Sequence, residues 1–183
     1  NTAYYRLNEY VRRGNSKSRN RVFIVHRLDR DTSGVIVFAK NANAKRFLQD
    51  EWQGFQKTYY AVVHGTLPEK EGVITSYLTE NSAHKVYSGA DPTKGKLAKT
   101  GYRVLKESPI YSLLEIELFT GRKNQIRVQL ADIGCPVAGD KKYGKKKGIK
   151  RLTLHAAAIT IAHPYSKKKM TFKTKVPAYF KSL

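Results

Sequence analysis

A chain of 183 residues is most simply one domain, spanning 1–183 and long enough to bury a real core. Its 40% hydrophobic and 27% charged residues predict a folded protein, but 35 Lys and Arg against 14 Asp and Glu leave a net +21, a field that attracts polyanions. No stretch could span or anchor in a bilayer, no signal peptide opens the chain, the single Cys135 excludes an internal disulfide, and the histidines never reach zinc-ligand spacing, so a reducing cytoplasm with no membrane partner and no metal is expected.

In chain order, Leu7, Tyr10 and Val11 recur at helical spacing within Tyr5 to Arg13 and predict a short amphipathic helix, ended by the loop Gly14 to Ser18. Val22-Phe23-Ile24-Val25 and Val35-Ile36-Val37-Phe38-Ala39 read as two buried strands. Between them lies the polar insert His26-Arg27-Leu28-Asp29-Arg30-Asp31-Thr32-Ser33-Gly34, a heavier load than a plain connection needs. Asp29 stands where the chain leaves the strand, so it needs a cationic partner or a raised pKa. Asp31 to Gly34 is turn chemistry. By themselves these residues fit a catalytic loop and an ordinary polar loop equally.

Asn41 starts a helix to about Trp52, with Ala44, Phe47, Leu48 and Trp52 on one face. Lys57 to Val63 is a strand that sends Tyr59 and Tyr60 to opposite faces, one toward the core and one free to stack on a base or to position a proton. Gly72 to Leu78 is a further strand, and Lys85 to Lys99 is a Gly/Lys-rich excursion with a weaker strand inside it. Thr100 to Lys106 and Tyr111 to Phe119 form a hairpin whose Glu115 and Glu117 share a solvent face.

A helix is predicted from Arg122 to about Ile133, with Ile126 and Leu130 on one face and Lys123 and Arg127 on another, stopped by Gly134 and Pro136. Its polar opening reads as a solvated face, a phosphate contact or a partner for a buried carboxylate. A basic turn, Gly139 to Lys147, precedes a buried strand, Leu152 to Ala162, in which His155 reads as a core residue. Met170 to Val176 is the last strand, and Pro177 starts a short terminal helix. The order predicts an α+β domain around a mixed, largely antiparallel sheet flanked by a few helices.

The insert His26 to Gly34 resembles the signature of the RluA-type RNA pseudouridine synthases. Three more stretches agree in order. Lys57-Thr58-Tyr59 with Ala61-Val62 and Gly65 is similar to the family's tyrosine strand. Gly121-Arg122 with Gln125-Ile126-Arg127-Val128, Ile133-Gly134, Pro136, Gly139-Asp140 and Tyr143-Gly144 resembles its arginine helix and turn, and Leu154-His155-Ala156 with His163-Pro164 its late strand. Lys123 and Asn124 stand where the family usually has Ser/Thr-His, and Gln129 replaces a usual His, which puts inherited RNA specificity in question. The family's opening strand and any S4-like RNA-binding module are expected to be lacking.

The resemblance implies the isomerisation of uridine to pseudouridine in ribosomal or transfer RNA, by flipping the base into a pocket. It implies Asp29 as the essential carboxylate, nucleophile or base, Arg127 as its ionic partner, and Tyr59 against the flipped uracil. Arg27 would fill the gap the base leaves; Arg30, Leu154 and the lysines Lys145, Lys146 and Lys147 are further candidate RNA contacts. No cofactor is needed, RNA is the partner, and a monomer is expected. Two other classes compete. One is a non-enzymatic RNA-binding protein, which the charge suits equally well. The other is a metal-dependent nuclease using Asp29, Asp31 and Asp140.

Overall fold

The computed structural model describes residues 2–144 and 149–180. The chain divides into two compact units. One comprises Asn1–Leu28, Ile36–Phe55 and Thr160–Thr171, the other Asp29–Val35, Gln56–Ile159 and Phe172–Leu183.

In the first unit, helix α1, Ala3–Arg12, starts because the Thr2 hydroxyl accepts from the Tyr5 N–H at 3.2 Å. Leu7 and Val11 are half-buried as the spacing predicts, but Tyr10 is 78% exposed. Asn8 takes the inward place instead. Its side chain accepts from the Val22 N–H at 2.9 Å and donates to the Tyr4 carbonyl, so the buried amide is satisfied. The two apolar runs do not become full strands. Only Phe23–Ile24, β1, and Phe38–Ala39, β3, pair, antiparallel, with Ile24 49% exposed. The ladder stops because the next N–H, that of Val37, donates to His26 Nε2 at 3.0 Å. Helix α2, Ala42–Asp50, is capped by Asn41, whose Oδ1 accepts from the Ala44 N–H at 2.8 Å, and it buries Ala44 and Leu48.

The second unit is built on a sheet. Strands β4 (Gln56–His64), β5 (Glu71–Glu80), β6 (Val86–Gly89), β7 (Lys96–Glu107), β8 (Tyr111–Leu118), β9 (Leu154–Ala162) and β10 (Lys169–Lys173) run in the order β10-β9-β4-β8-β7-β5-β6, with residues 160–162 of β9 and 169–171 of β10 counted in the first unit. The short β2, Ser33–Gly34, lies parallel to β9. The pairs β4–β8, β7–β8, β5–β7 and β5–β6 are antiparallel. This is the expected α+β architecture on a mixed, largely antiparallel sheet.

Helix α3, Gln125–Asp132, begins three residues later than the spacing predicts, because Asn124 takes a left-handed φ of 54°. It ends in a Schellman motif: Cys135 N–H donates to the Leu130 carbonyl, Gly134 N–H to that of Ala131, and Gly134 supplies the required φ of 82°. Ile126 and Leu130 press into a core made with Ala61, Val63, Leu114 and Ile116. The polar side chains of α3 are buried too: Gln125, in the opening for which a solvated face is one reading, and Arg127 and Gln129. Among the described residues no helix is long and apolar enough to cross a membrane.

Candidate active site

The second unit brings four of the signature's residues, Asp29 to Thr32, to the strand β2 that follows them. Thr32 N–H closes a turn onto the Asp29 carbonyl at 3.0 Å. The turn is pinned to β9, where Ser33 and Gly34 pair with His155 and Ala156, the Ser33 hydroxyl meets His155 Nδ1 at 2.8 Å, and the Val35 N–H donates to the Ala156 carbonyl at 2.8 Å. Gly34 has φ 121°, and a Cβ there would lie 2.1 Å from the Ala156 carbonyl oxygen, so only glycine permits the approach. His155 is a core residue; burial pulls its pKa down, so it stays neutral at pH 7.

Asp29 is thus held with 18% of its side chain exposed, and Arg127, 10% exposed, donates to it through Nη1 at 3.3 Å. The guanidinium has a second and closer partner. Nε and Nη2 bind the two oxygens of Asp140 at 2.7 and 2.8 Å, a bidentate fork. Nη1 also donates to Asn124 Oδ1 at 2.9 Å, and the guanidinium stacks over the Tyr143 ring at 5.3 Å. Burial alone would lower the Arg127 pKa, but the Asp140 carboxylate, with Asp29 behind it, pushes it up. Burial likewise opposes ionisation of Asp140, yet Arg127 and the N–H groups of Tyr143 and Lys142 hold its carboxyl below the usual range.

Tyr59 on β4 packs against the main core. Its phenol is pushed up to about 12, first by burial and then by the charge of Asp29, and is therefore neutral at physiological pH. On the other face of the strand, the Tyr60 hydroxyl donates to Glu115 at 3.2 Å, and Glu115 also pairs with Arg103 at 2.8 Å. Leu154 is 3% exposed within the core cluster that Tyr59 covers. Arg27 is exposed, and Arg30, 93% exposed, reaches only its neighbour Asp31. Lys145, Lys146 and Lys147 lie outside the described residues.

From the sequence, Gly139-Asp140 and Tyr143-Gly144 belong to a motif, Asp140 has a role only as a metal ligand in the nuclease alternative, and Tyr143 has none. The signal was a lone carboxylate in a lysine-rich turn, 13 residues past the only arginine of the helix. Two of the three residues that depart from the family pattern, Gln129 in α3 and Asn124 at its N-cap, are structural here. Gln129, fully buried, accepts from the Thr100 hydroxyl at 2.6 Å and donates to Ser76 Oγ and the Ala98 carbonyl. Asn124 bridges Arg127 to the Tyr143 hydroxyl. Asp29, Asp31 and Asp140 do not gather as a metal site would require. A guanidinium stands between two of them, and the described residues hold no group of three metal-ligating side chains.

Residues 3–132 match the family model described as RNA pseudouridylate synthase. The chain belongs to that family. It is 41% identical over 160 residues to an uncharacterized RNA pseudouridine synthase of Chloroflexus aurantiacus, with 85% of this chain and 50% of that protein covered. It is 36% identical to the ribosomal large subunit pseudouridine synthase C of Vibrio cholerae (85% and 52% covered) and 37% identical to the ribosomal large subunit pseudouridine synthase D of Nitrosomonas europaea (86% and 48% covered). The chain spans about half the length of these curated relatives. Its fold is that of the human RNA pseudouridylate synthase domain containing 4, with a TM-score of 0.81 at 22% identity, covering 96% of this chain and 79% of that one.

Proposed function

We propose that this chain is the catalytic part of an enzyme that isomerises uridine to pseudouridine in RNA, with Asp29 as the essential carboxylate. The observation that carries the reading is a half-buried Asp29 bonded to an arginine that is itself fixed by a second, fully buried carboxylate. A loop that only bound phosphate would have no use for a desolvated anion.

The reaction breaks the C1′–N1 bond, forms C1′–C5, takes a proton from C5 and returns one to N1. Asp29 would act at the sugar or the base as nucleophile or base. Arg127 would hold its carboxyl group in place beside the flipped uracil. Tyr59, neutral because its phenol sits near 12, is suited to lie against the uracil and donate a hydrogen bond; it is a poor acceptor for the C5 proton while Asp29 is charged. Leu154 supports Tyr59 from the core, and Arg27 is available to fill the vacated stack. The reaction is internal to the substrate, so no cofactor is required. Ribosomal RNA is the favoured target because two of the relatives are named for the large ribosomal subunit. The setting is the cytoplasm, which the buried free Cys135 fits.

The test is one assay on ribosomal and transfer RNA, with and without chelator, scoring pseudouridine, strand scission or neither. Chelator-insensitive pseudouridine formation is expected. Scission would favour a nuclease, and binding without turnover a non-enzymatic RNA-binding protein. Mapping pseudouridines in RNA from a strain lacking the gene would name the target.

A further inference from the structure

The first unit carries a cleft of about 830 Å³ that the reaction described above does not use. Arg13, Arg19, Arg21 and Lys40 line it, with Tyr10 and Asn41, and none of its lining residues is acidic. By contrast Arg12, one residue before Arg13, pairs with Glu9 at 3.6 Å. Among the described residues none of the four cleft cations makes an ion pair. Arg21 instead stacks over the Phe23 ring at 5.0 Å, which leaves its charge uncompensated.

The cleft is held in shape rather than left to loop motion. Asn15 Oδ1 accepts from the Lys17 N–H, Ser18 Oγ from the Asn20 N–H, and the buried Asn8 ties Val22 to α1. A second observation is local. Helix α1 ends with Arg13 in the left-handed region at φ 51°, the position where glycine or asparagine is preferred. Gly14 follows at φ 76°, so the turn already has a glycine at hand. A charged side chain kept at a strained, exposed position is a feature that function explains and stability does not.

The geometry points to this cleft as a binding surface for the phosphodiester backbone of the substrate RNA, with the exposed Tyr10 ring placed to stack on an unpaired base. Backbone phosphates need unpaired cations in a groove and carry no sequence information, and an exposed aromatic ring beside such a groove takes any base. This assignment rests on the reading of the chain as a protein that acts on RNA.

The experiment measures binding of a single-stranded RNA by fluorescence anisotropy across a salt series, apart from isomerisation. The variant Arg13→Gln/Arg19→Gln/Arg21→Gln/Lys40→Gln is compared with a charge-matched control, Lys106→Gln/Lys168→Gln/Lys173→Gln/Lys175→Gln, built on exposed lysines elsewhere. The cleft variant is expected to lose on the order of tenfold in affinity near 0.1 M salt and to flatten the log–log salt slope by about 2 to 3, and the control markedly less. Arg13→Gly separates binding from folding. It removes the strain and the charge together, so the melting temperature should rise while affinity falls about threefold. The assignment is overturned if wild type does not bind RNA, if cleft and control variants lose equally, if Arg13→Gly binds as wild type, or if the cleft variant loses only binding to phosphatidylserine vesicles. Wild type that binds RNA through the cleft but makes no pseudouridine would sink the enzyme reading and leave the cleft standing.

Discussion

Arg127 is held more closely by Asp140 than by Asp29. Two donors reach Asp140 at 2.7 and 2.8 Å, and one reaches Asp29 at 3.3 Å. The buried carboxylate sets where the guanidinium stands, and the half-buried one is left with a single long bond and its remaining lone pairs free. An arginine paired to Asp29 alone would close on it in a fork and occupy the oxygens that chemistry needs.

Asp140→Asn should therefore cost stability and activity together. An ion pair whose carboxylate is fully buried loses one charge, an effect of about 3 to 5 kcal/mol, read as a lower denaturant midpoint. The acid limb carries a sign. Asp140 titrates lower in the folded state than its ordinary 3.8, so its contribution is present above that value and is lost as pH falls below it. The variant should lose less stability than wild type between about pH 4 and pH 2. Equal acid unfolding in the two proteins would show that the fork does not form.

Asp29→Asn should abolish pseudouridine formation and leave RNA affinity within about threefold, because one charge is small beside +21. The side chain is 18% exposed and bonded once, so the variant should fold. Turnover near wild type in this variant would remove Asp29 from the chemistry.

Arg127→Ala should lose activity and several kcal/mol of stability, since it leaves Asp29 and the buried Asp140 without their shared cation. Arg127→Lys should recover part of the stability and little of the activity, because an ammonium cannot hold two oxygens of Asp140 and reach Asp29 as well. A lysine variant with full turnover would show that charge alone suffices.

Tyr59→Phe isolates an alkaline effect. The phenol titrates near 10 in the unfolded chain and at about 12 in the folded one, so the folded protein gives up its proton later. Stability from this group is intact below pH 10 and is lost as pH rises from 10 to 12, an effect of about 2 kcal/mol. Chemical denaturation at pH 9 and pH 11.5 should show a smaller alkaline loss for Tyr59→Phe than for wild type. Identical losses would mean that the phenol is not buried beside Asp29.

Gly34→Ala should be among the most damaging single methyl additions. It meets the Ala156 carbonyl at 2.1 Å and a φ of 121° that an L side chain avoids. A loss of roughly 3 kcal/mol or failure to fold is expected, and a melting temperature unchanged from wild type would refute the close approach of β2 to β9.

The sequence by itself determined whatever is written locally. Asp29 stands in a contiguous nine-residue motif, Tyr59 in a strand whose alternation sets its face, and the helix stop in Gly134 and Pro136; each depends on neighbours a few residues away. The α+β order followed from the same short-range signals. Tertiary structure alone decided the rest. Gln125 belongs to a polar helix opening that reads as a solvated face, a phosphate contact or a carboxylate partner, and only the resemblance pairs Arg127 with Asp29, because the partners of this helix lie far off in sequence. Arg127 meets Asp29 98 residues away, and Ser33 meets His155 122 residues away. The two apolar runs around the signature read as full strands, but a single histidine side chain takes the N–H that would have continued their ladder. In the sequence Asp140 is one acid in a basic turn, a candidate only for a metal site with Asp29 and Asp31. It became the anchor of the site only when the fold placed it against a guanidinium in a medium where an unpaired charge is costly, and no residue pattern along the chain carries that information.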